Sequence, residues 1–168
     1  MDAFPRFDLT GRTALVTGAS RGLGEAIALA LADAGADVAL GLHSASDGAG
    51  IVDRIESMGR RAIRVQMDML NLDQVRAAVA TVVEAFGHLD ILVNNAGVSP
   101  EAPAEDVTEA NFDLTLGVNV KGVFFASQAA GRMMIRQGYG RIVNLSSQAG
   151  FVALPTESVY CMTKAAVA

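Results

Sequence analysis

The sequence predicts an α/β fold: a doubly wound parallel sheet with helices on both faces. Three observations carry this. Short apolar runs alternate with longer amphipathic stretches along the whole chain. The runs are apolar on both sides, as strands buried on two faces must be. The chemically suggestive residues follow a strand end or open a helix, where parallel sheets of this kind bind ligands.

The elements follow in order. The run TALVT at 13–17 reads as the first, buried strand. A helix follows over 25–34, closed by Gly35, the residue type that most readily ends a helix in the left-handed conformation. A second strand takes 37–42, and a helix over 46–58 again stops at a glycine, Gly59. The third strand covers 62–67, the third helix 72–86 and the fourth strand 90–94. A long helix is expected over about 108–137, with Gly117, Gly122 and Gly131 as weak points in its continuity. A fifth strand covers 141–146, and a last helix begins near Ser158. No linker, repeat or low-complexity stretch interrupts this order, so residues 1–168 read as one domain.

Composition narrows the function. With 168 residues, 51% of them hydrophobic, the chain is large and apolar enough to bury a core. Thirteen basic against 18 acidic side chains give a net charge of −5 with no basic run, which argues against a nucleic-acid partner. A single cysteine, Cys161, rules out an internal disulfide and fits a reducing compartment. The first residues lack the basic start and apolar core of a signal peptide, and no uncharged stretch is long enough to span a bilayer. The expectation is a soluble, cytoplasmic protein with no membrane partner. His43 and His88 have no partner cluster, so no metal is expected.

Two groups of residues carry chemistry. Thr17-Gly18-Ala19-Ser20-Arg21-Gly22-Leu23-Gly24 follows the first strand and opens the first helix. Glycines let a backbone turn tightly against a pyrophosphate, and a helix N-terminus offers it free N–H groups. The spacing is G-x-x-x-G-x-G, distinct from the usual dinucleotide G-x-G-x-x-G. Far along the chain, Tyr160 and Lys164 are four apart on the last helix and so share a face. An ammonium beside a phenol favours its ionised form, which suits a general acid or base. Each group has a plainer reading: an ordinary strand-to-helix turn, a packing tyrosine, a solvated lysine.

Taken together, these residues resemble the short-chain dehydrogenase/reductase family. The resemblance rests on the glycine turn 17–24, on Asn94-Asn95-Ala96-Gly97 after the fourth strand, and on Asn119, Ser147, Tyr160 and Lys164. The motifs run in the family's order over nearly the whole chain. The resemblance implies a Rossmann-type fold and an NAD(P)-dependent oxidoreductase acting on a secondary alcohol or ketone. It implies that Tyr160 exchanges the proton at the substrate oxygen and that Lys164 assists it and holds the nicotinamide ribose. Ser147 would bond the substrate oxygen, in preference to Ser146, and Asn119 would hold a water linking Lys164 to solvent. Thr17, Gly18, Ser20, Arg21, Gly22, Leu23, Gly24, His43, Ser44, Asp68, Met69, Asn95, Ala96, Gly97 and Val118 would line the cofactor. A homo-oligomer, dimer or tetramer, is also implied.

The second strand ends in Leu42-His43-Ser44, with no acid where the ribose of NAD is commonly read. The missing repulsion, with Arg21 as a phosphate partner, favours NADP over NAD. Residues 148–157 are expected on the substrate side. They contain no lysine or arginine, so a strongly anionic substrate lacks a clamp there. The family's chains usually continue past the Tyr–Lys helix with further strands. The sheet is therefore expected to lack the last of them and to leave the fifth strand without an outer neighbour. Two other readings stay open: a nucleotide-binding or assembly module without turnover, and a methyltransferase-like nucleotide site in which the tyrosine–lysine pair has no purpose.

Overall fold

The computed structural model describes residues 7–44 and 47–168. Five parallel strands form one sheet in the order β3-β2-β1-β4-β5: β1 (Thr13–Thr17), β2 (Asp37–Leu42), β3 (Ala62–Gln66), β4 (Ile91–Asn94) and β5 (Arg141–Asn144). Six α-helices join and cover them: α1 (Gly22–Asp33), α2 (Ala49–Ser57), α3 (Leu72–Phe86), α4 (Glu109–Leu116), α5 (Val123–Gln137) and α6 (Ser158–Ala166). The order is that of a doubly wound Rossmann-type sheet. Between β1 and β4 the winding reverses, which makes their carboxyl ends the crevice of the fold.

The two-residue period of a strand sorts the core into two layers. Ala14, Val16, Val38, Leu40, Ile91 and Val93 face one side and pack with Ala28 and Ala32 of α1 and Ile51 and Ile55 of α2. Leu15, Ala39, Val65 and Leu92 face the other and meet Val75, Val79 and Val82 of α3 and Ala126 and Ala130 of α5. Helix ends follow their residues. The Asn71 side chain caps α3 by accepting from the N–H groups of Asp73 and Gln74, and Gly87 closes it at φ +89°.

Several ends differ by one residue from the sequence expectation, and four differences are larger. The first helix begins at Gly22 rather than residue 25, so Gly22 and Gly24 form its first turn. The second helix begins at Ala49, and Ser46, where it was expected to start, lies outside the described residues. The fifth strand ends at Asn144. The long helix is divided by a π-helical turn, Gly117–Gly122. The glycines that flagged this break serve close packing: a Cβ on Gly122 would lie 2.8 Å from the Met69 carbonyl oxygen, and one on Gly117 would lie 2.6 Å from Leu70 Cδ2. No helix among the described residues is long and apolar enough to cross a membrane.

Candidate active site

At the carboxyl end of β1, the glycine turn is tied to the end of β4. Thr17 is fully buried, and its hydroxyl accepts from the N–H groups of Asn95 and Ala96, both at 3.0 Å. The Asn95 amide donates to the carbonyls of Thr17 and Gly18 at 2.9 and 3.1 Å. Asn95 thus bonds backbone groups between adjacent strands. The closeness accounts for two glycines. Gly18 has φ +64°, and a Cβ there would lie 2.9 Å from the Ala96 Cα. A Cβ on Gly24 would lie 2.3 Å from the Gly18 carbonyl oxygen.

Gly22 is of another kind. It has φ +59°, and a Cβ there would meet nothing within 4 Å. Its conformation suits glycine while its surroundings are open. Beside it Arg21 is exposed, forms the N-cap of α1 and makes no side-chain cap bond. The first N–H groups of α1 therefore point out beside an open backbone turn. Ser20 is half-buried, and Leu23 is exposed on the same turn.

A crevice of about 340 Å³ opens next to this turn, lined in part by Leu23, Asn95, Gly97, Ser146, Tyr160 and Lys164. Lys164 is only 7% exposed, and its ammonium donates to the Leu145 carbonyl at 2.7 Å. It also lies 5.6 Å from the centre of the Tyr160 ring. Burial pushes the Lys164 pKa down from its usual value, because the charged form loses solvent. The shared helical face predicted from the spacing of four is thus present on α6. Behind Gly97, a Cβ on that glycine would sit 3.4 Å from Asn119 Oδ1 and 3.8 Å from Lys164 Nζ.

Asn119 sits in the π-turn, 2% exposed. Its side-chain oxygen accepts from the Val98 N–H at 2.9 Å, and its amide donates to the Val98 carbonyl at 2.9 Å and to Thr163 Oγ1 at 3.1 Å. The side chain is therefore committed to the loop after β4 and to the residue before Lys164. Segment 146–150 is clamped to α6 as well. The Ser146 hydroxyl donates to the Lys164 carbonyl at 2.8 Å, and a Cβ on Gly150 would lie 2.9 Å from that same carbonyl oxygen. Ser147, half-buried, accepts from the Ala149 N–H at 3.1 Å and caps the 3-10 turn Gln148–Gly150.

The remaining predicted residues lie apart from this crevice. His43, after β2, is exposed, with Nδ1 3.7 Å from Asp68 Oδ1 after β3. Ser44 is half-buried beside it. Met69 and Val118, 4% and 8% exposed, belong to the apolar core beneath the sheet. The sequence reading missed Leu145 and Thr163, the groups that fix Lys164 and Asn119. A backbone carbonyl leaves no mark in a sequence; Thr163, fully buried beside Lys164, leaves only its position.

A family model for the short chain dehydrogenase matches residues 12–168. The chain belongs to the short-chain dehydrogenase family. It is 43% identical over 157 residues to an oxidoreductase from Thermotoga maritima, covering 94% of this chain and 62% of that protein. It is 41% identical over 157 residues to the 3-oxoacyl-[acyl-carrier-protein] reductase of Staphylococcus aureus, covering 93% and 64%. Among solved structures, a short-chain type dehydrogenase/reductase from Mycobacterium marinum superposes with a TM-score of 0.92 at 38% identity, covering 96% of this chain and 65% of that one. The chain thus spans somewhat under two thirds of the length of the relatives it matches. Within that span it holds a five-stranded, Rossmann-like parallel sheet.

Proposed function

We propose that the protein is an NADP-dependent oxidoreductase that interconverts a secondary alcohol and a ketone. One observation carries this reading: Tyr160 and Lys164 share a crevice with Leu23 of the glycine turn and with Asn95, which braces that turn. A proton-transfer pair thus lies beside a dinucleotide cradle.

The residues fit a dinucleotide. The open backbone at Gly22 and the uncapped start of α1 suit a pyrophosphate. Arg21, a planar cation with no hydrogen bond or ion pair among the described residues, suits a 2′-phosphate. His43, Ser44 and Asp68 would meet the adenosine end. Asn95, Ala96, Gly97 and the backbones of Met69 and Val118 would follow the chain of the cofactor toward Lys164. The nicotinamide, when bound, supplies or accepts the hydride.

The chain's own residues do the rest. The Tyr160 hydroxyl gives its proton to the carbonyl oxygen in reduction and takes it back in oxidation. The Lys164 ammonium stabilises the phenolate left behind, and its bond to the Leu145 carbonyl fixes where that charge sits. Ser147 hydrogen-bonds the substrate oxygen, held in place by a segment clamped to α6. Asn119 is a positioning residue that locks the loop after β4 to α6 through Val98 and Thr163. The substrate class this supports is a 3-oxoacyl compound, sugar, polyol or steroid-like ketone, and the Staphylococcus aureus relative supports the first. The working form is a cytoplasmic homo-oligomer.

The test is NADPH oxidation with a panel of ketones. Tyr160→Phe is expected to lower turnover by about 10²- to 10⁴-fold while NADPH binding, followed by its fluorescence, stays within a few-fold. Near-normal turnover in that variant would remove the mechanism. Arg21→Ala is expected to weaken NADPH binding by about tenfold and leave NADH unchanged. A strong preference for NADH that the substitution does not alter would refute the choice of cofactor.

A further inference from the structure

The crevice holds one ionisable group that the mechanism does not use. Glu157 lines it, one helical turn before Tyr160, and is the only acid among the residues that do. The only base among them, Lys164, is already bonded to Leu145. The side-chain contact of Glu157 is with Ser99, whose hydroxyl lies 3.5 Å from Oε2, long for a bond between a hydroxyl and a carboxylate. No arginine or lysine forms an ion pair with it among the described residues.

The backbone that carries this acid is held in place. Thr156, just before it, has φ +61° and is the only residue other than glycine in the left-handed region among the described residues. That conformation costs a β-branched residue energy and persists where its surroundings enforce it. Here the Thr156 carbonyl accepts from the Ala102 N–H at 2.9 Å, which fastens the loop carrying Glu157 to the loop carrying Ser99. The Glu157 carbonyl accepts from the Cys161 N–H at 2.8 Å, inside the first turn of α6. The acid is thus set on the same helix as the proton donor.

We propose that Glu157, with Ser99, reads the substrate: it selects ketones that carry a hydrogen-bond donor near the reacting carbonyl and rejects anionic ones. This rests on the oxidoreductase reading above and adds the substrate class to it. An ionised carboxylate only accepts hydrogen bonds, at about four lone-pair positions. A plain ketone entering the crevice takes water from that carboxylate and returns nothing. A hydroxyl or ammonium on the substrate replaces the lost water, and a carboxylate on the substrate is repelled. Sites built to bond a substrate group discriminate strongly against analogues that lack it.

The experiment loads the chain with NADP⁺ and measures, by calorimetry, the binding of four small methyl ketones of similar size: hydroxyacetone, aminoacetone, butanone and pyruvate. Hydroxyacetone or aminoacetone is expected to bind about tenfold or more tightly than butanone, and pyruvate more weakly than either. Whichever of the first two leads identifies the donor as hydroxyl or ammonium. Glu157→Ala should bring all four close together. Glu157→Gln, which keeps the shape and an acceptor oxygen, should keep part of the hydroxyacetone preference and admit pyruvate. Equal binding by the parent chain, or a preference that survives Glu157→Ala, would overturn the proposal. NADPH oxidation with the same ketones is read separately: selective binding without turnover would sink the oxidoreductase reading alone, and turnover without selectivity would sink only the role of Glu157.

Discussion

Asn119 shows how one side chain can hold a site together without touching the reaction. It is nearly fully buried and makes three bonds that join the loop after β4 to α6. Asn119→Ala leaves the Val98 N–H and carbonyl and the Thr163 hydroxyl without that partner. It is expected to cost about 2 to 3 kcal/mol, read as a lower urea midpoint with an unchanged slope. Lys164 gives a second residue-scale prediction, through pH. Burial lowers its pKa in the folded state, so between that lowered value and the ordinary 10.5 the unfolded chain binds more protons than the folded one. Stability must then rise with pH through this window, and below the lowered value the Lys164 contribution must be flat. The phenol of Tyr160 is coupled to this ammonium, so the comparison is made in a Tyr160→Phe background, where the difference between chains with Lys164 and with Lys164→Met isolates the lysine. Urea midpoints measured from neutral pH upward should climb relative to the variant, and parallel curves would show that Lys164 is not desolvated.

At the scale of elements, the glycine turn divides into positions that pack and a position that is open, and substitution separates them. Gly24→Ala drives a methyl group into the Gly18 carbonyl and is expected to cost about 2 to 4 kcal/mol in stability. Gly22→Ala meets no atom but must hold φ near +59°, at about 1 to 2 kcal/mol. Its loss of NADPH binding should exceed its loss of stability, because the added methyl occupies the space where the pyrophosphate would lie. Equal NADPH fluorescence titrations for Gly22→Ala and the parent would show that the cradle is not used. Such positions also show what was legible beforehand. Glycines after apolar runs marked the ends of α1 and α2, because only they adopt the left-handed cap without strain. The start of α1 was misplaced because Gly22 and Gly24 weigh against helix by propensity, whereas in the fold Gly24 packs closely on Asn95 within the first turn. The π-turn was visible only as doubtful glycines. What places it, the approach of Gly117 and Gly122 to Leu70 and Met69, is a contact between segments about 50 residues apart, which no local pattern contains. The chemistry-bearing residues were legible by type and spacing; the groups that brace them, Leu145, Val98 and Thr163, were not.

On the scale of the whole molecule, the sheet has two edge strands among the described residues, β3 and β5, and β5 is the more exposed. β5 pairs with β4 through Ile142 and Val143, opposite Leu92 and Val93, and among the described residues no strand pairs with its outer edge. All four of its residues are exposed, Ile142 at 39% and Val143 at 48%, whereas the residues of β1 and β4 are buried. One end of β5 carries a guard: the guanidinium groups of Arg12 and Arg141 lie 4.1 and 4.9 Å from the centre of the Tyr139 ring, and place two cations there. Beyond Arg141 the strand offers a run of unpaired backbone groups flanked by β-branched side chains, the arrangement that templates pairing between copies. Self-association that grows with protein concentration is therefore expected, followed by light scattering or sedimentation. Val143→Lys puts a charge in the middle of the edge and should suppress association several-fold. It should leave the NADPH fluorescence titration unchanged, because β5 pairs away from the glycine turn on the far side of β4. A parent chain that stays monodisperse at every concentration, or a lysine variant that associates as readily, would show that the open edge is protected by something other than its sequence.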